Sequence, residues 1–137
     1  ASARRGELTL AAAVIDADHF KRINDTFGHH AGDEALIAIA STLRAGLPDT
    51  AVVARYGGEE FVCLVGLRQP AEAMPVFERL RGRIESTVVE VQGRRVPFTV
   101  SIGVSTTLGE SLADMLRRAD EGTYRAKQAG RNRVVVA

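Results

Sequence analysis

Three carboxylate side chains stand where apolar, strand-like stretches of the sequence give way to turns. Asp16 follows the apolar run LTLAAAVI, and Glu59 and Glu60 follow a glycine pair between two further apolar runs. If the first strand pairs beside this second pair of strands, Asp16 and Glu59 meet at one edge of a sheet. Magnesium prefers such oxygen ligands and usually takes one or two protein carboxylates besides water and substrate phosphates. The acids therefore predict a magnesium site, which Glu60 and the backbone carbonyl of Ala17 could complete.

A structural role also remains open for each of these acids, because a single carboxylate often caps a turn or faces solvent. The adjacent Gly57 and Gly58 are compatible with both interpretations. A glycine pair suffices for a hairpin turn, and it also lets a ligand approach backbone N–H groups closely. The Glu-Glu pair after it is not explained by a turn, since hairpins favour Asn-Gly or Asp-Gly.

Three basic side chains are placed where they could meet an anion. Lys21 lies on a short helix just after Asp16, where its ammonium and the free N–H groups of the helix start suit phosphate oxygens. Lys127 and Arg131 flank the C-terminus of the last helix. A favourable interaction with the helix dipole would explain these two equally well, so their spacing does not decide between the alternatives.

The composition excludes several classes of protein. The chain has 137 residues, of which 45% are hydrophobic, and its net charge is +1. This balance argues against a general nucleic-acid binder, and no apolar run is long enough for a membrane span. The single cysteine, Cys63, cannot form a disulfide within the chain and fits a reducing compartment. We therefore expect a cytoplasmic domain without nucleic-acid or membrane contacts, although its parent protein could be membrane-anchored.

The pattern of apolar residues predicts how these side chains are positioned. Strands are expected at residues 8–15, 51–56 and 60–66, a second hairpin turning at 92–93 within VVEVQGRRVPFTVSIGVS, and a last strand at RVVV. Helices are expected at 18–27, 32–45 and 71–86 and from Ser111 to Gly130. This order predicts an α/β (α+β) fold with a mixed, mostly antiparallel central sheet flanked by helices. We interpret residues 1–137 as one domain, shortened at its N-terminus, of a larger protein.

Four segments in order resemble the signature blocks of the GGDEF domain family of diguanylate cyclases: DADHFKRINDTFGHHAGD, RYGGEEF, FTVSIGVS and ADEGTYRAKQAGRNRV. The central motif has its GGEEF form at Gly57–Phe61, and the resemblance runs from about Leu10 to Val136. It implies a fold similar to the palm of class III nucleotide cyclases and many polymerases. It also implies condensation of two GTP into cyclic di-3′,5′-guanylate with release of two pyrophosphates. Each domain holds one GTP, so a homodimer of domains is implied. We also expect an upstream sensory or regulatory domain in the parent chain.

The resemblance assigns roles to individual residues of this sequence. It implies that four residues hold Mg²⁺ or Mn²⁺: Asp16, the carbonyl of Ala17, Glu59 and Glu60. It also implies that Glu59, in the third position of the motif, is catalytic. It implies that the remaining matched positions bind substrate, through guanine, the phosphates or close backbone approach: Asn24 and Asp33 for guanine, His29 in the substrate site, Lys21, Lys127 and Arg131 for phosphates, and Gly57 and Gly58 in the glycine turn.

Two departures from the family pattern affect the functional prediction. An RxxD product-binding site is expected a few residues before the glycines, but the matching positions are Pro48 to Ala51, which lack both the arginine and the aspartate. We therefore predict no product inhibition through that site. The helix with a DxLTxLxNR-type pattern that usually precedes the family's first strand is also not matched. An active cyclase is the leading hypothesis, and a catalytically silent GTP-binding regulatory module is the alternative. A product receptor is disfavoured because the RxxD site is missing.

Overall fold

The computed structural model of the chain describes residues 8–137. These residues form seven strands and four helices, with a 3₁₀ turn at Pro70–Glu72 before the third helix. Their bounds are β1 Thr9–Ala17, α1 Phe20–Phe27, α2 His29–Gly46, β2 Val52–Arg55, β3 Glu60–Leu67, α3 Ala73–Glu85, β4 Glu90–Val91, β5 Arg94–Arg95, β6 Val100–Ser105, α4 Leu112–Gln128 and β7 Arg133–Val136.

Five strands form one central sheet in the order β2-β3-β1-β6-β7. The pairs β2–β3, β3–β1 and β1–β6 are antiparallel, whereas β6 and β7 run parallel. A parallel pair needs a crossover connection, and α4 supplies it. The remaining strands, β4 and β5, form a separate two-stranded ribbon. The predicted fold class, a mixed and mostly antiparallel sheet flanked by helices, is confirmed.

The two faces of the sheet bury different sets of side chains, as the period-two alternation of β1 requires. Alternate β1 residues such as Ala13 and Ile15 join a large core with apolar side chains of the first three helices, including Ile39 and Phe77. On the other face, Val14 packs in a smaller cluster with α4. Because both faces of β1 are covered, its end is a buried and well-fixed place for a functional side chain.

Helix α4 lies directly on the backbone of β6. A Cβ atom added to Gly103 would stand 2.0 Å from the carbonyl oxygen of Ala119 and 2.1 Å from the backbone nitrogen of Thr123. The Thr123 hydroxyl donates to the carbonyl of Val14 at 2.8 Å, which ties the same turn of α4 to β1. The absence of a side chain at Gly103 therefore sets the distance between α4 and the sheet.

Several predicted boundaries are wrong in ways that bear on the site. Strand β1 runs two residues further than expected, so Asp16 lies within the strand, opposite Glu60 on one side and Ser101 on the other. Helix α1 starts at Phe20 rather than at residue 18, because His19 adopts a left-handed conformation and gives no side-chain cap. Helix α2 starts at His29, three residues earlier than predicted, directly after Gly28 with φ 94°.

The second predicted hairpin is much shorter than expected. Gln92 and Gly93 do form its turn, both with positive φ, but the strand pairing covers the residue pairs 90–95 and 91–94, with one further hydrogen bond from the Val96 N–H to the Val89 carbonyl. The following segment, FTVSIGVS, contributes β6, which pairs with β1 instead. Pro97 lies between the two parts and lacks the N–H group that a continuing ladder needs.

Two expectations from composition concern membranes and cysteine chemistry. Within residues 8–137, no helix combines the length and the apolar character needed to cross a bilayer. Cys63 is buried in β3, and this burial raises the pKa of its thiol to about 12. A thiol of that pKa stays protonated at neutral pH, which fits an inert core residue.

Candidate active site

The end of β1 and the loop between β2 and β3 bring the predicted acids to one edge of the sheet. Asp16 faces Glu60 across the antiparallel β1–β3 pair. One residue further, the backbone N–H of Ala17 donates to the carbonyl of Glu59 at 3.1 Å. The paired residues are 42 or more positions apart in sequence, and strand pairing alone makes them neighbours.

The Asp16 carboxylate is buried but only partly satisfied. It is 5% exposed, and its Oδ2 accepts a hydrogen bond from the Lys127 ammonium at 2.5 Å. Its Oδ1 is buried without a hydrogen-bond partner among the residues that the structure describes. A buried carboxylate oxygen without a partner is costly, and a bound cation would satisfy it. The donor set therefore fits a hard metal ion at this oxygen.

Burial and nearby negative charge raise the pKa values of the two neighbouring carboxyl groups. Partial burial, and next the charge of Asp16, raise the pKa of Glu59 above its ordinary value, while Lys127 opposes the shift. Partial burial, followed by the charges of Asp16 and Asp120, likewise raises the pKa of Glu60. Mutual repulsion of this kind is relieved when a cation binds between the groups.

Protein ligands alone do not complete a metal centre. Across residues 8–137, no three His, Cys, Asp or Glu side chains are grouped closely enough to hold an ion by themselves. Magnesium does not require such a cage, because it keeps several waters and takes its other ligands from substrate phosphates. Asp16 and Glu59, with Glu60 and the carbonyl of Ala17 nearby, fit that mode of binding.

We expect millimolar Mg²⁺ to raise the melting temperature by a few degrees at about pH 8 and to lose this effect as the solution is acidified. The folded pKa values of Glu59 and Glu60 lie above the ordinary 4.5. Such groups contribute stability below pH 4.5 that is lost as the pH rises through their folded pKa values. A bound cation offsets this loss of stability, so it stabilises the protein most at pH values where Glu59 and Glu60 are both ionised. Thermal melts with Mg²⁺ or a chelator across pH test this. A shift of equal size at every pH, or one unchanged in the Glu59→Gln/Glu60→Gln variant, would contradict it.

The glycine pair forms the open rim of the acidic edge. The guanidinium of Arg55 donates to the carbonyl oxygens of Gly57 at 3.3 Å and Gly58 at 2.5 Å, which fixes the direction of both peptide groups. Neither glycine has a positive φ, so the turn does not need glycine for its backbone conformation. A Cβ at position 57 would approach the Glu60 carboxylate at 3.0 Å, whereas a Cβ at position 58 would enter open space. The structure therefore leaves room for a side chain at position 58, and close approach of a ligand to this glycine stays a prediction.

Replacing Gly58 with alanine is expected to leave folding intact and to weaken GTP binding by about tenfold or more. The new methyl group meets no protein atom within 4 Å and requires no unusual φ, so the free energy of unfolding should change by less than about 0.5 kcal/mol. A ligand lying against the backbone would collide with it. Denaturant unfolding and nucleotide titration of the same preparation check both parts. Unchanged GTP affinity would show that no bound nucleotide lies against the backbone at position 58.

The predicted guanine-binding side chains lie on α1 and α2. Gly32, in the first turns of α2, faces Asn24 of α1 so closely that a Cβ there would stand 1.9 Å from the Asn24 Oδ1. That Oδ1 is buried and has no hydrogen-bond partner in the described chain. Asp33 is exposed, one residue further along, and lines a cleft of about 390 Å³ that also contains Phe61 of the GGEEF motif. His29 is exposed at the first residue of α2.

The three predicted phosphate-binding residues differ in their structural position and in their contacts. Lys21 is exposed in the first turn of α1, which has no side-chain cap over its N–H groups. The Lys127 ammonium forms an ion pair with the Asp16 carboxylate, which the helix-dipole interpretation did not predict. Arg131 follows α4 with φ 65°, and its guanidinium forms no ion pair within residues 8–137.

Two residues that contact the site region were not singled out in the sequence. Asp18 is buried and accepts hydrogen bonds from Thr99, Ser101 and the backbone N–H of Asn132. Arg55 holds the glycine turn. The Asp-Ala-Asp spacing could have indicated a role for Asp18 beside Asp16, because the two side chains point to the same side if the strand continues past Asp16.

Known proteins resemble this chain over most of its length. The family profile described as diguanylate cyclase, GGDEF domain, matches residues 1–133. Diguanylate cyclase A of Treponema denticola is 40% identical over 131 residues, which are 94% of this chain and 35% of that protein. The response regulator PleD of Caulobacter vibrioides is 45% identical over 130 residues, which are 92% of this chain and 29% of that protein.

A solved structure shows the same fold. The GGDEF domain of DgcB from Caulobacter crescentus, crystallised in complex with c-di-GMP, superposes with a TM-score of 0.87 and 34% identity, covering 94% of this chain and 78% of that one. The chain spans about a third of the length of the two relatives named above. Since the family profile covers nearly the whole sequence and the sheet order carries the motif to the predicted edge, the chain belongs to the GGDEF domain family.

Proposed function

We propose that this chain is a metal-dependent diguanylate cyclase that condenses two GTP into cyclic di-3′,5′-guanylate across a dimer of domains. One observation carries the proposal: a buried Asp16 carboxylate has one oxygen on Lys127 and the other without a partner, beside Glu59. This arrangement suits a cation and the phosphates it brings. The names of the relatives, a diguanylate cyclase and a domain crystallised with c-di-GMP, support the same reaction.

Guanine selection would come from Asn24 and Asp33. The Asp33 carboxylate can accept hydrogen bonds from both N1–H and the 2-amino group of guanine. The Asn24 amide can serve the acceptor edge of the base. Adenine lacks that pair of donors, so its binding would leave the Asp33 carboxylate unsatisfied. The open cleft beside Asp33 supports this placement of the base.

The acidic edge would hold the triphosphate. Asp16, the carbonyl of Ala17, Glu59 and Glu60 would hold Mg²⁺ or Mn²⁺, which when bound neutralises the phosphates, acidifies the attacking 3′-hydroxyl and stabilises the pyrophosphate leaving group. Lys21 would bring positive charge to the remaining phosphate oxygens. The raised pKa of Glu59 suits a carboxylate that accepts the proton of the attacking hydroxyl.

One domain holds one GTP in this proposal, so two domains must face each other for the two bonds to form. The turnover rate per domain should therefore rise with protein concentration until the dimer is saturated. A concentration series with GTP and Mg²⁺, followed by pyrophosphate release, tests this. GTP binding without pyrophosphate release at any concentration would overturn the cyclase assignment and leave a GTP-binding module. We also propose that a larger parent protein with an upstream sensory or regulatory domain controls this pairing, and the length of the relatives supports this proposal.

The product should not inhibit the enzyme through an RxxD site. The positions that would carry the arginine and the aspartate hold Pro48 and Ala51, in a hollow of about 260 Å³ that also contains Arg44 and Asp49. We expect turnover to be unaffected by added cyclic di-GMP, and the Pro48→Arg/Ala51→Asp variant to acquire inhibition by it. Initial rates at rising product concentration measure both. Strong inhibition of the unaltered chain that Asp49→Ala abolishes would contradict the prediction.

A further inference from the structure

The buried carboxylate of Asp18 joins three parts of the chain beside the candidate active site. It is 4% exposed. Its Oδ1 accepts from the Ser101 hydroxyl at 2.6 Å, and its Oδ2 accepts from the Thr99 hydroxyl at 2.7 Å and from the backbone N–H of Asn132 at 3.0 Å. Thr99 and Ser101 belong to β6 and the segment just before it, whereas Asn132 belongs to the loop between α4 and β7.

The loop that Asp18 holds carries Arg131. Both Arg131 and Asn132 have positive φ, at 65° and 50°, a conformation that residues other than glycine seldom adopt without support. The Arg131 N–H donates to the carbonyl of Ala126 at 2.9 Å, so the loop folds back onto the end of α4. The hydrogen bond from Asn132 to Asp18 then fixes the next peptide group.

The Asn132 side chain is anchored on its other side by α3. Its Oδ1 accepts from the Arg81 guanidinium, and its Nδ2 donates to the Glu85 carboxylate, each at 2.8 Å. Asn132 is therefore held by α3 through its side chain and by Asp18 through its backbone. These contacts hold the loop next to Arg131, whose guanidinium forms no ion pair within residues 8–137.

We propose that Asp18 is a positioning residue that holds the α4–β7 loop to the end of β1 and so sets Arg131 against the outer phosphates of bound GTP, which GMP lacks. The inference rests on the proposed function, since it takes Arg131 as a phosphate contact. A carboxylate suits this task because it accepts several hydrogen bonds at once, and bonds to a charged acceptor are the stronger ones. Asp18 itself need not touch the substrate.

The test compares nucleotides that differ in their phosphates, on the 137-residue chain with Mg²⁺. The probes are 3′-deoxy-GTP, which lacks the attacking hydroxyl and cannot react, and GMP. We expect Asp18→Ala to weaken 3′-deoxy-GTP binding about tenfold, the scale of one charge-assisted contact, and to leave GMP binding unchanged. A purely structural role would weaken both nucleotides alike. The same selective loss is expected for Arg131→Ala, with the double variant no weaker than either single variant.

Two further variants keep the test decisive. Thr99→Val removes another hydrogen bond from the same Asp18 oxygen without touching the loop, so it should bind both nucleotides like the parent chain. If Asp18→Ala does not fold, Asp18→Asn takes its place, because an amide oxygen can still accept from Asn132; about a threefold loss for 3′-deoxy-GTP alone is then expected. Equal losses for both nucleotides, additive effects with Arg131→Ala, or unaltered 3′-deoxy-GTP binding would overturn the inference. Failure of the parent chain to bind GTP would instead overturn the proposed function.

Discussion

Replacing Glu59 with glutamine is expected to lower turnover of GTP on the order of 1,000-fold while the fold persists. Glutamine keeps the shape of glutamate but removes the negative charge that would hold a cation beside Asp16 and accept a proton. The raised pKa of Glu59 has a further consequence, because burial and the Asp16 charge disfavour its ionised form. Without a cation, the neutral amide should therefore leave the protein as stable as the parent chain at neutral pH, or more stable.

Pyrophosphate release measures the loss of turnover, and thermal melting in a chelator measures the stability. Glu121→Gln is a matched control, since Glu121 lies on α4, its side chain is 53% exposed, and its one ion-pair partner within residues 8–137 is Arg117. An exposed pair of this kind contributes little, so the control should keep parental rates. Parental turnover in Glu59→Gln would refute the metal and catalytic assignment together.

Replacing Gly103 with alanine is expected to cost roughly 3 kcal/mol or more of unfolding free energy, because the methyl group would be forced into the backbone of α4. Two of the atoms it would meet, the Ala119 carbonyl oxygen at 2.0 Å and the Thr123 nitrogen at 2.1 Å, cannot rotate away as side-chain atoms can. Helix α4 would have to move off the sheet, and Lys127 would move with it. Turnover should therefore fall in whatever fraction of the protein remains folded.

A second glycine provides the control for this substitution. Gly82 lies in α3, and a Cβ there meets no atom within 4 Å. Gly82→Ala should stabilise the protein by about 0.5–1 kcal/mol, since alanine favours the helix more than glycine does. Denaturant unfolding of both variants measures the difference. If Gly103→Ala were as stable as the parent chain, the direct contact between α4 and β6 would be wrong.

The central part of the candidate site follows from local sequence patterns. The apolar run before Asp16 and the two runs around the glycines predict three strands, and the acids were expected to meet at one edge of a sheet if the first strand paired beside the other two. Strand pairing then brings Asp16 opposite Glu60. The order of strands and helices similarly predicts the mixed sheet, because a crossover helix such as α4 is what a parallel pair requires.

Contacts between distant positions could not be predicted in this way. The ion pair of Lys127 with Asp16 joins residues 111 positions apart, and a dipole interaction explained Lys127 equally well before folding placed it. The hydrogen-bond partners of Asp18 lie 81 to 114 positions away, so the sequence did not indicate them, and Asp18 was expected at the start of a helix. The overlong second hairpin has a related cause: local patterns did not reveal that β6 pairs with β1.

Incubation of the chain with GTP and Mg²⁺, followed by mass identification of the products, tests the central proposal most directly. We expect cyclic di-3′,5′-guanylate with two pyrophosphates released for each molecule formed, at a rate per domain that rises with protein concentration. Bound GTP that is recovered unchanged at every protein concentration would contradict it.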